Sequence, residues 1–279
     1  MGRILTMHGV TDASNLGFVH RNLMTVVEFQ RFLLQATPPF VSVQEALDGP
    51  GTALTVDDST WASVEAAKLA RGLGHEVTLY VNPEQIITSS PYPFCVLNAM
   101  LDAWTTGEIE LEAGNSYNPT QRHPFRAHVK RLLRRLPDTP SQHLLLRELA
   151  GRLGLVDVVV PAHLRPPTVE ALVALRGSGV HIGNHGWTHV EHASIDPRRS
   201  ASEITRAAEW ITREIGASCH TFAVPYGEAL PGEGVLEQAD VVWLLVDDRV
   251  DEGLVRPRVY NRGSLYADWR SRDSRARHA

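Results

Sequence analysis

Two cysteines in 279 residues, Cys95 and Cys219, are too few for a disulfide framework, so nothing in the chain calls for an oxidising compartment. Long apolar runs are missing too: no stretch has the roughly 18 uninterrupted apolar residues that a membrane span needs. There is no surplus of positive charge. Lys and Arg number 27 against 32 Asp and Glu, and a net charge of -5 offers no field for a phosphate backbone, which argues against nucleic acid as a partner. The opening Met-Gly-Arg-Ile-Leu-Thr-Met-His lacks the apolar core and small-residue cleavage site of a secretory signal and reads as a strand entering a fold. The expectation is a cytoplasmic protein with both cysteines free. Internal repeats are absent as well. What remains is a composition of 43% hydrophobic and 21% charged residues, that of a globular chain able to form one large α/β domain.

Taken in order, the chain alternates strands with helices. Ile4 to Met7 is a short apolar run ending at His8-Gly9. Thr25-Val-Val-Glu28 and Ser42-Val-Gln-Glu45 each place a glutamate three residues after a hydroxyl, the reciprocal cap of a helix start. Ala53 to Val56 reads as a strand, Trp61 to Leu73 as a helix and Val77 to Val81 as a strand closed by Asn82-Pro83, together a parallel crossover unit. From about residue 84 to 167 the rhythm changes to a largely helical insertion, with basic-apolar helices around Ala127 to Leu136 and Gln142 to Leu153. The cations from Arg126 to Arg135 are either a solvated face or a surface that meets an anionic substrate. Thr168 to Leu175 is expected to be helical, Val180 to Gly183 a strand, and Ser200 to Glu203 a further capping box opening a helix to about Ile215. Cys219 to Ala223, Val241 to Val246 and Arg256 to Tyr260 are further strands, and the tail from about Arg270 is expected to be disordered.

Two stretches carry chemistry. In Leu54-Thr-Val-Asp57-Asp58-Ser59-Thr60 two carboxylates stand where a strand gives way to a helix, the end of an alternating sheet at which ligand sites lie. In Asn184-His185-Gly-Trp187-Thr188-His189 two histidines stand four apart, a spacing that puts both on one side of a helical turn, within reach of one ion. An aspartate and two histidines leave open positions on a divalent ion, as a catalytic rather than a closed structural site does.

Leu54-Thr-Val-Asp-Asp58, Asn184-His185-Gly-Trp-Thr-His189 and Phe222-Ala-Val-Pro225-Tyr226-Gly, in that order, resemble the first three motifs of the polysaccharide deacetylase family, the NodB homology domain, and Ile4 to Val10 resembles its opening strand. The resemblance covers roughly residues 4 to 81 and 165 to 258. It implies a distorted (β/α) barrel, here residues 1–269 with the helical insertion at about 84–167, and metal-dependent removal of an N-acyl group, N-acetyl first of all, from an amino sugar or small glycoconjugate. It makes Asp58, His185 and His189 the ligands of one divalent metal, zinc in the first instance with Co, Mn, Ni or Fe as substitutes, and Asp57 the general base. The backbone N–H of Tyr226 would help hold the oxyanion. Trp187 is either a wall of the acyl pocket or a core aromatic, Pro225 stands beside the substrate, and Thr188 orients the histidines.

Departures leave three roles open. Ser59 replaces the glycine that usually follows the second aspartate, and Val224 stands where an arginine or tyrosine usually precedes the proline. No late leucine-x-histidine motif follows Val241, so His8 is the first candidate to protonate the leaving amine, with Asp247 and Asp248 behind it. Arg258 is either the substitute arginine that steadies Asp57 or a surface ion pair. Two alternatives share these residues: a hydrolase of a non-sugar amide such as a formamide or cyclic imide, and an inactive glycan-binding relative. Oligomeric state is not legible.

Overall fold

The computed structural model describes residues 2–13, 17–112 and 114–266, so the expected tail from Arg270 lies outside the described residues. Nine strands form one sheet: β1 (Arg3–Met7), β2 (Thr52–Val56), β3 (Val77–Val81), β4 (His181–Asn184), β5 (Thr221–Ala223), β6 (Val242–Leu245), β7 (Gly253–Arg256), β8 (Val259–Asn261) and β9 (Gly263–Ser264). Their order is β7-β8-β6-β5-β4-β3-β2-β1-β9, parallel throughout except for β7. Because β8 pairs with β6 while β9 pairs with β1, and only Arg262 separates them, one short segment touches both ends of the sheet and curls it into a distorted (β/α) barrel.

Strand periodicity sorts the residues between two faces. Leu5, Met7, Leu54, Val56, Val77, Leu79 and Val81 point outward into the main core, where α1 (Val26–Gln35), α3 (Trp61–Gly72) and α8 (Val169–Gly177) cover them. Each such side chain, once buried, contributes about 1.5–3 kcal/mol. Ile4, Ala53, Tyr80, Ala223, Leu244 and Tyr260 form a second cluster with Val43, Ala46 and Leu47 of α2 (Val43–Asp48), which plugs the lower end. Above it on the inner face stand Thr6, its register partner Thr55, and then Asp57. The period that buries Ala53 and Thr55 therefore also brings Asp57 inward.

Residues 84–167 are mostly helical, with α4 (Pro83–Thr88), α5 (Pro93–Ala103), α6 (Arg122–Arg135) and α7 (Thr139–Arg152). They have their own small core of Leu97, Met100, Leu101, Trp104, Phe125, Val129, Leu133, Leu146 and Leu149. The capping boxes at Thr25 and Ser42 form as read. The one expected at Ser200 does not: α9 (Pro197–Trp210) starts a turn earlier, capped by Asp196 with Pro197 in its first turn. Ser200 is instead buried and pairs its hydroxyl with His192 Nδ1 at 2.8 Å, and Glu203 accepts from Thr188. Both cysteines are free.

Candidate active site

A cavity of about 370 Å³ opens at the carboxyl ends of the strands, lined by Asp57 and Asp58 after β2, His185 and His189 after β4, and Val224 and Tyr226 after β5. Asp58 leaves β2 at a φ of 61°, which turns its carboxylate into the cavity. Thr60 then caps α3, and Ser63 in its first turn donates to the carbonyl of His8 at 2.8 Å, fixing the end of β1 beside the end of β2.

The histidines do not share a helical turn. They lie on an irregular loop, in which Gly186 takes a φ of 83° and His189 a φ of 56°. Asn184 Oδ1 accepts from the Gly186 N–H at 2.8 Å, and Asn82 Nδ2 donates to the carbonyls of His185 and Gly186 at 2.6 and 3.0 Å. Side-chain amides from β4 and the end of β3 thus satisfy a backbone that no helix pairs, and the loop returns His189 to the same side as His185. Asp58, His189 and Tyr226 are three of the five non-glycine residues with positive φ among the described residues, so left-handed backbone concentrates where side chains must converge.

Asp58, His185 and His189 each offer a ligand atom within 4.8 Å of the others. His185 pairs its Nδ1 with the Ala223 carbonyl at 2.7 Å, so Nδ1 carries the proton and Nε2 presents its lone pair, 3.6 Å from Asp58 Oδ1. His189 Nε2 stands 3.1 Å from the same oxygen. Yet Asp58 Oδ1 is buried without a hydrogen bond of acceptable geometry. A buried carboxylate oxygen facing two ring nitrogens, without a well-formed hydrogen bond, fits a cation ligand set. Burial opposes ionisation of Asp58, but the two histidines outweigh it and hold its carboxyl well below the usual range. His185 is shifted up, its burial overcome by Asp58 and Asp57, whereas burial keeps His189 down.

Asp57 faces another partner. Arg262, 2% exposed, donates Nη1 to Oδ1 at 2.8 Å and Nη2 to Oδ2 at 2.6 Å, and Nη1 also reaches Thr55 Oγ1 at 3.0 Å. Burial would raise the Asp57 carboxyl; Arg262, with His185 and His8, holds it below its usual range instead. Of the two readings of Arg258, the surface ion pair holds: Arg258 neither steadies Asp57, which Arg262 does instead, nor lines the cavity. Arg258 stands at the start of β8 and donates to the Ala239 and Val241 carbonyls and to Asp240. The cavity lies at the far end of that strand, four residues or roughly 13 Å on at strand rise. The missed signal was an arginine interrupting the otherwise strand-like Val259-Tyr-Asn-Arg-Gly-Ser.

His8 lines the cavity, with Nε2 4.0 Å from Asp58 Oδ2. Among the described residues no acceptor meets the Tyr226 N–H, on a residue whose φ of 63° follows Pro225. Trp187 is a core aromatic and not a wall of the cavity: it packs in the main cluster with the Arg206 guanidinium 3.6 Å over its ring. Pro225 is buried in the turn between two lining residues and does not line the cavity itself. Asp248 lines it, while Asp247 turns away to pair with Arg249. Thr188 orients the loop through Glu203 rather than through a histidine. Ser59 faces away from the cavity: Tyr92 of the insertion accepts from its N–H, its Oγ pairs with the same phenol at 2.9 Å, and Tyr92 donates to Asn82 Oδ1.

Residues 160–248 match the family model for polysaccharide deacetylase. The chain is a divergent relative of that family. The matched span includes His185, His189 and Tyr226, while Asp57, Asp58 and Arg262 fall outside it and join the site through the barrel's geometry. Solved structures resemble the whole chain. Streptococcus pyogenes deacetylase PplD, in complex with acetate, aligns at a TM-score of 0.57 and 12% identity over 95% of this chain and 92% of its own. IcaB from Ammonifex degensii aligns at 0.55 and 13% over 97% and 95%. The BpsB deacetylase domain from Bordetella bronchiseptica aligns at 0.53 and 14% over 94% and 95%. Identities this low establish the deacetylase-type barrel as the fold of this divergent relative.

Proposed function

We propose that the chain is a metal-dependent hydrolase that removes an N-acyl group, N-acetyl first of all, from an amino sugar or small glycoconjugate. The observation that carries this reading is the unpartnered, buried Asp58 Oδ1 facing two imidazole nitrogens, with a second, arginine-clamped carboxylate beside it. Asp58, His185 and His189 would hold one divalent ion, zinc or a first-row substitute, which supplies a Lewis acid and an acidified water. Asp57 takes the proton of the attacking water. Its clamp by Arg262 keeps it ionised and fixed, and each oxygen retains a lone pair, since a carboxylate can accept about four bonds. The unclaimed Tyr226 N–H would receive the developing oxyanion, a role worth about 2.7–4 kcal/mol when well aimed. His8, at the open side of the cavity, returns a proton to the leaving amine.

The direct test is metal analysis of the purified protein, followed by acetate release from N-acetylhexosamine compounds with and without a chelator. Chelator-sensitive release supports the reading. A protein that carries metal but releases acyl groups only from formamides or cyclic imides would move it to the non-sugar amides.

A further inference from the structure

The cavity has two unlike sides. Besides the carboxylates and histidines, the lining takes Arg126, Lys130 and Arg134 from α6, three cations at successive four-residue steps and hence on one helical face, and Arg21 joins them from the loop after β1. The other two arginines late in the helix, Arg131 and Arg135, face solvent. Like charges at this spacing repel, and a solvated face would scatter them. Here they are drawn inward. Arg126 is 9% exposed, and its Nε donates to Asn98 Oδ1 at 2.7 Å, which fixes the plane of the guanidinium. Arg134 has carboxylates within reach, Glu191 at 3.3 Å and Glu228 at 3.8 Å. Arg21, Arg126 and Lys130 have no carboxylate within 4.0 Å among the described residues.

The Tyr226 ring forms a floor for this wall, with the Arg134 guanidinium 4.4 Å and Lys130 Nζ 5.6 Å from its centroid. A ring face attracts cations but does not neutralise them. The cost falls on Lys130 and Arg126. Burial, with Arg126 and Arg134 beside it, lowers Lys130 to about 8, and burial with Arg21 nearby lowers Arg126 to about 10. A buried Arg126 and a half-buried Lys130 with no carboxylate in contact are costly, and an anion entering from solvent would relieve that cost.

We infer that the substrate carries an anionic oxygen group, phosphoryl or carboxylate, which seats against Arg126 and Lys130 while its acyl amide faces Asp57 and Asp58. The inference rests on the hydrolase reading for the second half of that statement only. A planar guanidinium beside an ammonium matches a group with several acceptor oxygens. The anion would orient the substrate across the cavity, so its loss should appear in KM before kcat.

The test measures inorganic phosphate binding by calorimetry, in metal-loaded and chelated protein, for the parent, Arg126→Gln, Lys130→Gln and the solvent-facing Arg131→Gln. One phosphate per chain is expected in both metal states, weakened at least about tenfold in the first two variants and unchanged in the third. Thermal denaturation confirms that each variant is folded, and Lys130→Met serves in place of Lys130→Gln if that one is not. Malonate displacing phosphate at lower concentration would assign the natural group as a carboxylate; the reverse would assign a phosphoryl group. Turnover of N-acetylglucosamine 1-phosphate should exceed that of N-acetylglucosamine at least about tenfold in kcat/KM, carried by KM. No phosphate binding by the parent, equal binding by all variants, or equal turnover of the two sugars would overturn the anion site. Variant-sensitive phosphate binding with no acyl release from either sugar would overturn the hydrolase reading and leave the anion site standing.

Discussion

The two sides of the cavity are built by different means. The acid and histidine side stands on strand ends: Asp57, Asp58, His185 and Tyr226 follow β2, β4 and β5, whose register is fixed by ladders and by a core on both faces. The cationic side stands on one face of a helix with its own separate core. The first kind of support holds a few atoms in fixed relation, which bond-breaking needs. The second can change its side chains without disturbing the barrel, which is where the choice of substrate can vary.

If this division is right, variants should sort by side. The largest effect is expected on the strand-end side: Asp58→Ala or His185→Ala should lose bound metal and reduce acyl release to the level of the chelated parent, checked by metal analysis and an acetate assay. Asp57→Asn should keep its metal and lose about 10²–10⁴-fold in kcat. Equal rates for Asp57→Asn and parent would break the comparison at its centre. Arg262→Met leaves Asp57 buried and unpaired, so it should destabilise the fold by about 3–5 kcal/mol in chemical denaturation. Asp57→Asn combined with Arg262→Met should recover a good part of that loss, because the orphaned charge goes with it.

On the helix side the effects should be smaller and pH-dependent. Lys130 is packed among Arg126, Arg134, Arg21, Glu228 and the Tyr226 ring, and its folded value of about 8 lies below the ordinary 10.5. The sign follows from the lowering: the charge is present below pH 8 and is lost as pH rises through that value. Binding of sulfate, whose own charge is constant there, should therefore weaken above about pH 8 in the parent and stay level in Lys130→Gln, where the binding is weak throughout. The linked stability runs the opposite way, being present above the unfolded value and lost as pH falls through about 8. A flat sulfate profile in the parent would remove Lys130 from the anion site. Arg131→Gln, one residue along the helix, should change stability by less than about 0.5 kcal/mol.

The same division decides what the sequence could reveal. Val77–Val81 was legible to the residue, because a parallel strand buried on both faces is an unbroken apolar run between turn signals. The acid pair and the histidine pair were legible because polar groups stranded at strand ends have few structural explanations. The histidine loop was misread as a helical turn: spacing alone cannot show that Gly186 and His189 take left-handed backbone and that Asn82 and Asn184 stand in for helical hydrogen bonds. Arg262 escapes a reading of the sequence because nothing in it tells the start of β8 from its end. The inward face of α6 is not legible as solvent-facing or substrate-facing, since helical periodicity gives a face but not what lies against it.

Arg262 stands in the single-residue gap between β8, which extends one end of the sheet, and β9, which joins β1, and it clamps a carboxylate at the end of β2. A chain emerging from the ribosome therefore has every proposed metal ligand in hand by residue 189, yet the proposed general base, Asp57, lacks its clamp until a barrel segment more than seventy residues later arrives. Competence for hydrolysis would then be acquired all at once, when that segment docks between the two ends of the sheet.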